Sequence, residues 1–153
     1  MGDAIRVRAV VEADYAAWRP LWDGYNRFYG RYDATALDDN ITAQTWARFF
    51  APAEPLAALV AEAKGRVAGL AHIVFHRSTT RLEDVCYLQD LYTDETARGQ
   101  GIGRALIEAV CAMAQAAGCR RVYWQTHESN QAGRALYDKL AQHKGFIVYS
   151  REW

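Results

Sequence analysis

The sequence predicts a mixed α+β (mixed α/β) fold in which helices cover a twisted sheet, and two patterns support this prediction. Segments with strand-like and helical periodicity follow one another in the order βααβββαβαβ, and a glycine-rich run joins one strand to an amphipathic helix. The chain has 153 residues with no internal repeat and no proline- or serine-rich linker. We therefore expect residues 1–153 to form a single domain.

The first third of the chain predicts one strand followed by two helices. Residues 5–10 alternate weakly, which is typical of a strand, and Asp14 has the character of a helix N-cap. A wide aromatic stripe at helical spacing follows, and we expect Pro20 to split this helix. Residues 38–50 predict a second, short helix.

The middle of the chain predicts a β-hairpin, a third strand of the same sheet and a long helix. Residues 56–63 and 66–75 are typical of paired strands joined by the turn Lys64-Gly65. Residues 86–93 form the next predicted strand, and residues 102–117 carry one continuous apolar helical face. This helix is expected to pack on the sheet.

The last third predicts a strand, a helix and a final strand. Residues 121–126 are apolar and rich in β-formers, and residues 135–137 lie in a helical pattern. Residues 145–147 are expected to form the closing strand.

The glycine-rich run at residues 98–103, Arg-Gly-Gln-Gly-Ile-Gly, predicts a site for a phosphate or pyrophosphate. Glycines at a helix N-terminus leave bare backbone N–H groups, and the positive end of the helix dipole favours an anion there. A P-loop is excluded because Arg104-Ala105 stands where Lys-Ser/Thr is needed. A dinucleotide fingerprint is disfavoured because it needs glycine at position 104.

The remaining pattern, [Q/R]-x-x-G-x-[G/A] after the strand Tyr87–Thr93, resembles the acetyl-CoA loop of the GCN5-related N-acetyltransferases (GNAT family). The order strand 121–126, Asn130, Ala135-Leu136-Tyr137 and Gly145-Phe146-Ile147 resembles the second conserved block of that family. The resemblance is closest to the branch that holds polyamine, D-amino-acid and some histone acetyltransferases. It implies a central, twisted, mostly antiparallel sheet of six to seven strands flanked by about four helices.

The resemblance also implies acetyl-CoA as cofactor and a set of residues that bind it. An asparagine at position 130 would contact the pantetheine arm, and a tyrosine at position 137 would lie beside the thioester sulfur. The implied cofactor-binding residues are Leu91, Tyr92, Thr93, Arg98, Gly99, Gln100, Gly101, Ile102, Gly103, Arg104, Asn130, Ala132, Arg134 and Tyr137.

Acetylation of an amine requires a neutral nitrogen, so a proton acceptor is expected at the site. A lysine-like amine with a pKa near ~10.4 is neutral only about once in two thousand molecules at pH 7. In the related branch the proposed base occupies the position of Gln89, and glutamine cannot act as a base. Asp90, His127, Glu128 or a water chain remain candidates, and Asp90 reaches the site only if a β-bulge re-aims it.

Acetyl transfer also requires a polarised thioester carbonyl and a stabilised leaving thiolate, and these functions are assigned to Leu91 and Tyr137. A backbone N–H near Leu91 is expected to polarise the thioester carbonyl where the bulge splays the strand. The neutral phenol of Tyr137 is expected to donate a hydrogen bond to the departing thiolate, although packing alone would also explain a helix tyrosine. The predicted catalytic residues are therefore Tyr137, Asp90 and Leu91.

The acceptor side is predicted from the aromatic N-terminal helices. An aromatic wall with nearby carboxylates suits a cation, while a core function for the stripe with solvated acids is the alternative. Trp124 either lines the pocket or fills the sheet face, and the histidines at 72, 76 and 143 are interpreted as ordinary strand or surface residues. The predicted substrate-binding residues are Trp22, Tyr25, Phe28, Tyr29, Asp33, Gln89, Trp124 and Glu128.

Composition narrows the function classes. Lysine plus arginine (18) equals aspartate plus glutamate (18), so no global field favours nucleic acid or an anionic membrane. Three cysteines without metal spacing predict no metal site, and the N-terminus lacks an apolar signal region, so a cytoplasmic location is expected. The leading hypothesis is acetyl transfer from acetyl-CoA to a small-molecule amine or a protein amino group by a homodimer. A non-catalytic acyl-CoA sensor is the alternative, because Gln89 and Thr93 depart from the family pattern.

Overall fold

The computed structural model describes residues 4–153 and contains a five-stranded sheet with helices on both faces. The strands are β1 (Arg6–Ala9), β2 (Leu56–Ala63), β3 (Arg66–His76), β4 (Val85–Thr93) and β5 (Val122–Tyr123). The helices are α1 (Tyr15–Phe28), α2 (Asp39–Arg48), α3 (Ile102–Ala116) and α4 (Gln131–Leu140). The mixed α+β class predicted from the sequence is therefore confirmed. Within the described residues, none of these helices has both the length and the apolar character needed to span a bilayer.

The sheet follows the chain in the order β1-β2-β3-β4-β5, with antiparallel neighbours except for the parallel pair β4 and β5. The predicted hairpin is present, and both turn residues, Lys64 and Gly65, have the positive φ angles that a tight connection requires. Helix α3 makes the crossover from β4 to β5. In such a unit, ligands bind beyond the carboxyl ends of the parallel strands, which here are the ends nearest Thr93 and Tyr123.

Apolar side chains cover both faces of the sheet. On one face, Trp18 and Leu21 of α1 pack against Leu70 of β3. On the other face, Leu106 and Val110 of α3 are fully buried against the sheet. The two faces therefore hold α1 and α3 in fixed positions at the same end of β4.

A glycine allows α3 to approach the sheet closely. A Cβ at Gly69 of β3 would lie 2.7 Å from the Ile102 side chain, the first residue of α3. A larger residue at position 69 would therefore displace the start of α3, where the phosphate site is predicted.

Two details differ from the sequence predictions. The sheet has five strands rather than six to seven, because residues 145–147 form no strand and β5 is limited to Val122–Tyr123. A strand needs a partner edge, and β5 pairs with β4 through only two residues, so it offers little edge for a further strand. Helix α1 also runs without interruption through Pro20. Burial of Trp18, Leu21, Trp22 and Tyr25 along one helix face offsets the hydrogen bond that the proline removes.

Candidate active site

A β-bulge in β4 decides which side chains face the α1 side of the sheet. His72 of β3 pairs with Asp90, and Ile73 pairs with Leu88, so Gln89 is an extra residue in β4. Before the bulge, Leu88 faces the core beneath α3. After it, Asp90 faces α1, and Gln89 lines the same cavity as Asp90. The bulge thus re-aims Asp90, which is the condition that the sequence set for this residue to reach the site.

Asp90 ends a chain of buried hydrogen bonds that begins on α1. Trp18 Nε1 donates to His72 Nε2 at 3.0 Å, and His72 Nδ1 lies 2.8 Å from Asp90 Oδ2. An indole nitrogen can only donate, so Nε2 of His72 must accept and Nδ1 must carry the proton. His72 is therefore a neutral donor to Asp90. It is 3 % exposed and is not the ordinary strand histidine expected from the sequence.

Tyr25 of α1 provides a second contact to Asp90. Burial raises the pKa of the Tyr25 phenol, and the charge and hydrogen bond of Asp90 raise it further. The phenol therefore stays protonated. Asp90 is itself buried, with 8 % of its surface exposed, and its carboxylate is oriented by His72 at the wall of a cavity.

The cavity has a volume of about 750 Å³ and lies between α1, α2 and the carboxyl ends of β4 and β5. Its walls combine aromatic side chains from α1 with polar groups from the strand ends. Residues on these walls include Trp22, Tyr25, Tyr29, Gln89, Asp90 and His127. Four of the eight predicted substrate residues, Trp22, Tyr25, Tyr29 and Gln89, thus come together here.

The other four predicted substrate residues lie elsewhere. Phe28 is on the opposite side of α1, where it lines a separate cleft of about 420 Å³. Asp33 is exposed in a short 3-10 turn, and Glu128 is exposed beyond β5. Trp124 packs edge-on against Tyr137 with ring centroids 5.6 Å apart. Helical periodicity did not separate the two sides of α1, which explains why Phe28 was grouped with the residues of the other side.

Arg31 also lines this cavity and was not predicted from the sequence. It follows α1 and lies outside any regular periodic pattern that could have indicated its direction. The alternation along β3 was the signal available for His72, because it shares its face with Leu70 and Val74.

The glycine run forms an open helix end, as predicted. Gly99 has φ +78° and Gly101, the N-cap of α3, has φ +89°, conformations that favour glycine. The first helical N–H bond within α3 runs from Ala105 to the Gly101 carbonyl at 3.0 Å. The amides of residues 102–104 therefore have no partner within the helix and are available to an anion.

Side chains around this helix end are arranged differently from one another. Arg98 Nε donates to the Thr93 carbonyl at 3.3 Å, and the guanidinium lies 5.6 Å from the Tyr92 ring centroid. Arg104 is exposed and pairs with Glu108 one turn along α3. Gln100 is also exposed, whereas Ile102 is buried in the core. Arg98 thus connects the end of β4 to the open end of α3.

Beyond their two paired residues, β4 and β5 separate. Pairing stops at Tyr87 and Tyr123, yet β4 continues to Thr93. One backbone edge of β4, including Leu91, therefore faces no strand among the residues described. Free N–H and C=O groups on that edge suit the amides of a pantetheine arm, and the open amides of α3 suit a pyrophosphate. The residues present thus fit CoA.

Asn130 is the N-cap of α4 and lies across from β4 at the gap that opens between β4 and β5. Its Oδ1 accepts from the Gly133 N–H at 3.2 Å, and its Nδ2 donates to Thr126 Oγ at 2.9 Å. A Cβ at Gly133 would overlap the Asn130 amide, so the glycine permits this cap. Ala132 and Arg134 are on the first turn, and Arg134 donates to the Glu128 carbonyl at 2.9 Å.

Tyr137 lies on α4 and is half-buried. Burial raises the pKa of its phenol above the ordinary value of 10.0, and the phenol of Tyr29 adds to this effect. The Tyr137 phenol therefore remains a hydrogen-bond donor at neutral pH.

Comparison with known proteins agrees with the fold. The sequence profile of the acetyltransferase (GNAT) family matches residues 17–141. The chain is similar to D-amino-acid N-acetyltransferase HPA3 of Saccharomyces cerevisiae, with 35% identity over 99% of this chain and 92% of that protein. It is also similar to glucosamine 6-phosphate N-acetyltransferase of Trypanosoma brucei brucei, with 30% identity over 58% of this chain and 56% of that protein.

Solved structures share the fold at lower identity. Ribosomal-protein-alanine N-acetyltransferase from Brucella melitensis biovar Abortus 2308 superposes with a TM-score of 0.76 at 19% identity, covering 98% of this chain and 99% of that one. The aminoglycoside acetyltransferase AAC(6')-Iy, in complex with a bisubstrate analogue of CoA, gives a TM-score of 0.79 at 19% identity, with coverage of 98% and 99%. At these identities the likeness establishes the architecture.

Proposed function

The chain belongs to the acetyltransferase (GNAT) family, and from this premise we propose that it transfers the acetyl group of acetyl-CoA directly to the primary amine of a polyamine, an amino acid or a protein. The observation that carries the proposal is Asp90, a buried carboxylate that a bulge turns into the cavity and His72 holds in place. The yeast relative is named as a D-amino-acid N-acetyltransferase, which supports a small amine as acceptor.

Asp90 acts as the general base. A primary amine arrives mostly as the ammonium ion, and Asp90 accepts a proton from it, directly or through a water at the bulge. His72 keeps the carboxylate oriented toward the cavity, so little reorganisation is needed during proton transfer. The freed nitrogen then forms the new N–C bond while the C–S bond of the thioester breaks.

Backbone and phenol groups act on the two ends of the thioester. A free N–H on the open edge of β4 near Leu91 polarises the carbonyl oxygen. Tyr137 donates a hydrogen bond to the sulfur as it leaves, and the second proton lost by the nitrogen ends on that sulfur. Asp90 returns the first proton to solvent, so the products are the acetamide, free CoA thiol and one proton.

Acetyl-CoA, when bound, supplies the activated acetyl group as a thioester. We assign its pyrophosphate to the residues 98–104 at the start of α3, where open amides and two positive-φ glycines meet. We assign its pantetheine arm to the gap between β4 and Asn130. The side-chain amide of Asn130 keeps one N–H free after capping α4, so the cap and a ligand contact are compatible.

Thiol release in the presence of amines tests the proposal. The purified protein is incubated with acetyl-CoA and a panel of polyamines, amino acids and lysine-bearing peptides, and free CoA is followed against an enzyme-free control. We expect amine-dependent release with at least one member. Tight CoA binding without release with any amine would overturn the enzyme proposal and favour an acyl-CoA sensor.

We also propose that the chain functions as a homodimer. The segment that follows α4 exposes a cluster of apolar side chains, Phe146, Ile147, Val148 and Tyr149, with between 67% and 87% of each residue accessible. Exposed apolar clusters of this kind mark interaction surfaces. A mass measurement by light scattering should give twice the chain mass, and Phe146→Ser with Tyr149→Ser should shift it toward the monomer; a monomeric wild type would contradict the proposal.

A further inference from the structure

Arg31 is placed to read the acceptor at a point the sequence did not indicate. Among the described residues that line the acceptor cavity, it is the only lysine or arginine. Its Nε donates to Asn26 Oδ1 at 2.7 Å, and Asn26 Nδ2 in turn donates to the Trp22 carbonyl at 2.9 Å. Asn26 is 5 % exposed. A buried amide therefore fixes the direction of the guanidinium.

The aromatic wall fixes the plane of the same group. The Arg31 guanidinium carbon lies 5.8 Å from the Tyr25 ring centroid and 5.4 Å from that of Tyr29. Stacking of this kind orients an arginine while leaving its outer nitrogens able to donate. Because Nε is used by Asn26, the two terminal nitrogens are the donors that remain.

Those terminal donors have no carboxylate partner within residues 4–153. No aspartate or glutamate oxygen of the described chain lies within 4.0 Å of Arg31, whereas Arg8, Arg19 and Arg66 each form such a pair. An oriented guanidinium that faces a cavity with two unused nitrogens is suited to a planar, two-oxygen anion.

The opposite charge lies on the walls of the same cavity. Asp90 and Arg31 line the same cavity. Burial raises the pKa of the Tyr29 phenol, the charge of Asp90 raises it further, and the charge of Arg31 lowers it. Tyr25 experiences the same two opposing influences. The cavity walls therefore carry both a carboxylate and a guanidinium, which complements a molecule that carries an amine and a carboxylate.

We propose that Arg31 binds the carboxylate of the acceptor, and that the substrates are amino acids with apolar side chains. This deepens the proposed function and rests on it. Leu37, Phe49, Leu56 and Val74 also line the cavity and suit an apolar side chain. A polyamine fits less well, because the guanidinium repels a second ammonium group.

The positions of the carboxylates that follow the aromatic stripe also support this choice. Asp33, Asp38 and Asp39 are all exposed and do not line the cavity. The negative charge available to an acceptor inside is therefore that of Asp90, which the reaction already uses as base.

Kinetics with matched acceptors test the proposal. Each enantiomer of leucine is compared with isopentylamine, which has the same carbon skeleton without the carboxylate, using wild type, Arg31→Gln and the control Arg48→Gln. Arg48 lies at the end of α2, where it pairs with Glu54. We expect wild type and Arg48→Gln to prefer one leucine enantiomer over isopentylamine by at least about tenfold in kcat/KM.

Arg31→Gln should lose that preference while keeping its kcat/KM for isopentylamine within about twofold of wild type, which also shows that the variant is folded. Equal use of leucine and isopentylamine by wild type, or an equal loss with both acceptors in Arg31→Gln, would overturn the carboxylate assignment.

A binding measurement separates this inference from the proposed reaction. Calorimetry in the presence of CoA compares N-acetylleucine with N-isopentylacetamide, and it requires no turnover. Tighter binding of N-acetylleucine that disappears in Arg31→Gln would support the anchor even if no amine is acetylated. Binding that is independent of Arg31, or no binding of N-acetylleucine, would refute it.

Discussion

Replacing Asp90 with asparagine removes the proposed base while preserving the shape of the site. In Asp90→Asn the new amide oxygen can still accept from His72 Nδ1, which lies 2.8 Å from the carboxylate in the native chain. The new amide nitrogen can donate to the Tyr25 hydroxyl oxygen, because a phenol hydroxyl both donates and accepts. We therefore expect the fold to be retained and the effect to fall on proton transfer.

The expected loss follows from the protonation state of the acceptor. General base catalysis contributes about 10²–10⁴-fold, and a lysine-like amine is neutral in about one molecule in two thousand at pH 7. We expect kcat/KM of Asp90→Asn to fall by about 10²–10³-fold at pH 7, a barrier increase of about 2.7–4.1 kcal/mol. The deficit should shrink as pH rises toward the pKa of the amine, because the neutral form then arrives unaided.

The assay is initial-rate thiol release between pH 6 and pH 10 with a saturating concentration of acetyl-CoA, and thermal unfolding confirms that the variant is folded. Asp23→Asn is the matched control, because Asp23 is an exposed carboxylate of α1 that pairs with Arg19. An activity of Asp90→Asn within threefold of wild type at pH 7, or a deficit that is the same at every pH, would refute the assignment of Asp90 as base.

Three further outcomes are expected. With Tyr15→Phe as control, Tyr137→Phe should lower kcat at least about tenfold, a barrier increase near 1.4 kcal/mol. Because burial raises the pKa of the native Tyr137 phenol, its ionisation should cause no loss of rate below about pH 10. An unchanged kcat in Tyr137→Phe would mean that Tyr137 contributes only packing. Gly101→Val should weaken CoA binding at least about tenfold in calorimetry, because φ +89° is strained for valine and the side chain obstructs the helix end. The control Gly118→Val, with φ +91° at the other end of α3, should leave the affinity for CoA unchanged. Equal losses of affinity in both variants would contradict the assignment of the pyrophosphate site. Asp14→Ala should lower the free energy of unfolding by about 2 kcal/mol, because Asp14 accepts two hydrogen bonds from the Arg8 guanidinium at 2.7 and 2.9 Å. The hydrogen bonds from Arg8 hold the pKa of Asp14 below 3.8, so this stabilisation is complete above pH 3.8 and is lost as the pH falls below it. In urea denaturation at decreasing pH, the free energies of unfolding of wild type and Asp14→Ala should therefore converge below pH 3.8. A difference that stays constant with pH would contradict this linkage.

The strand β4 illustrates how far the sequence reaches and where it stops. Its extent was predicted to within one residue, because it is a short run rich in apolar and aromatic residues. The face on which Asp90 lies depends on the extra residue at Gln89, and a glutamine in a strand carries no composition signal for a bulge. The glycine run at α3 was predictable in full, because positive φ angles restrict the residue type.

Long-range packing determined the features that were not predicted. Arg31 is oriented by Asn26 and two tyrosines, and such contacts have no period along the chain. His72 acquires its tautomer from Trp18, 54 residues away. The strand predicted at residues 145–147 has the apolar character of a strand, but pairing also requires a partner edge, which local sequence does not describe.

Direct acetyl transfer to an amine underlies every assignment made to this site, and a single-turnover experiment with acetyl-labelled acetyl-CoA examines that transfer itself. The protein, the labelled donor and leucine are mixed and quenched over time, and mass spectrometry follows the acceptor and the intact chain. We expect labelled N-acetylleucine in a one-to-one ratio with free CoA, with no labelled protein at any time. Thiol release without N-acetylated product, or accumulation of label on the chain before product forms, would contradict direct transfer.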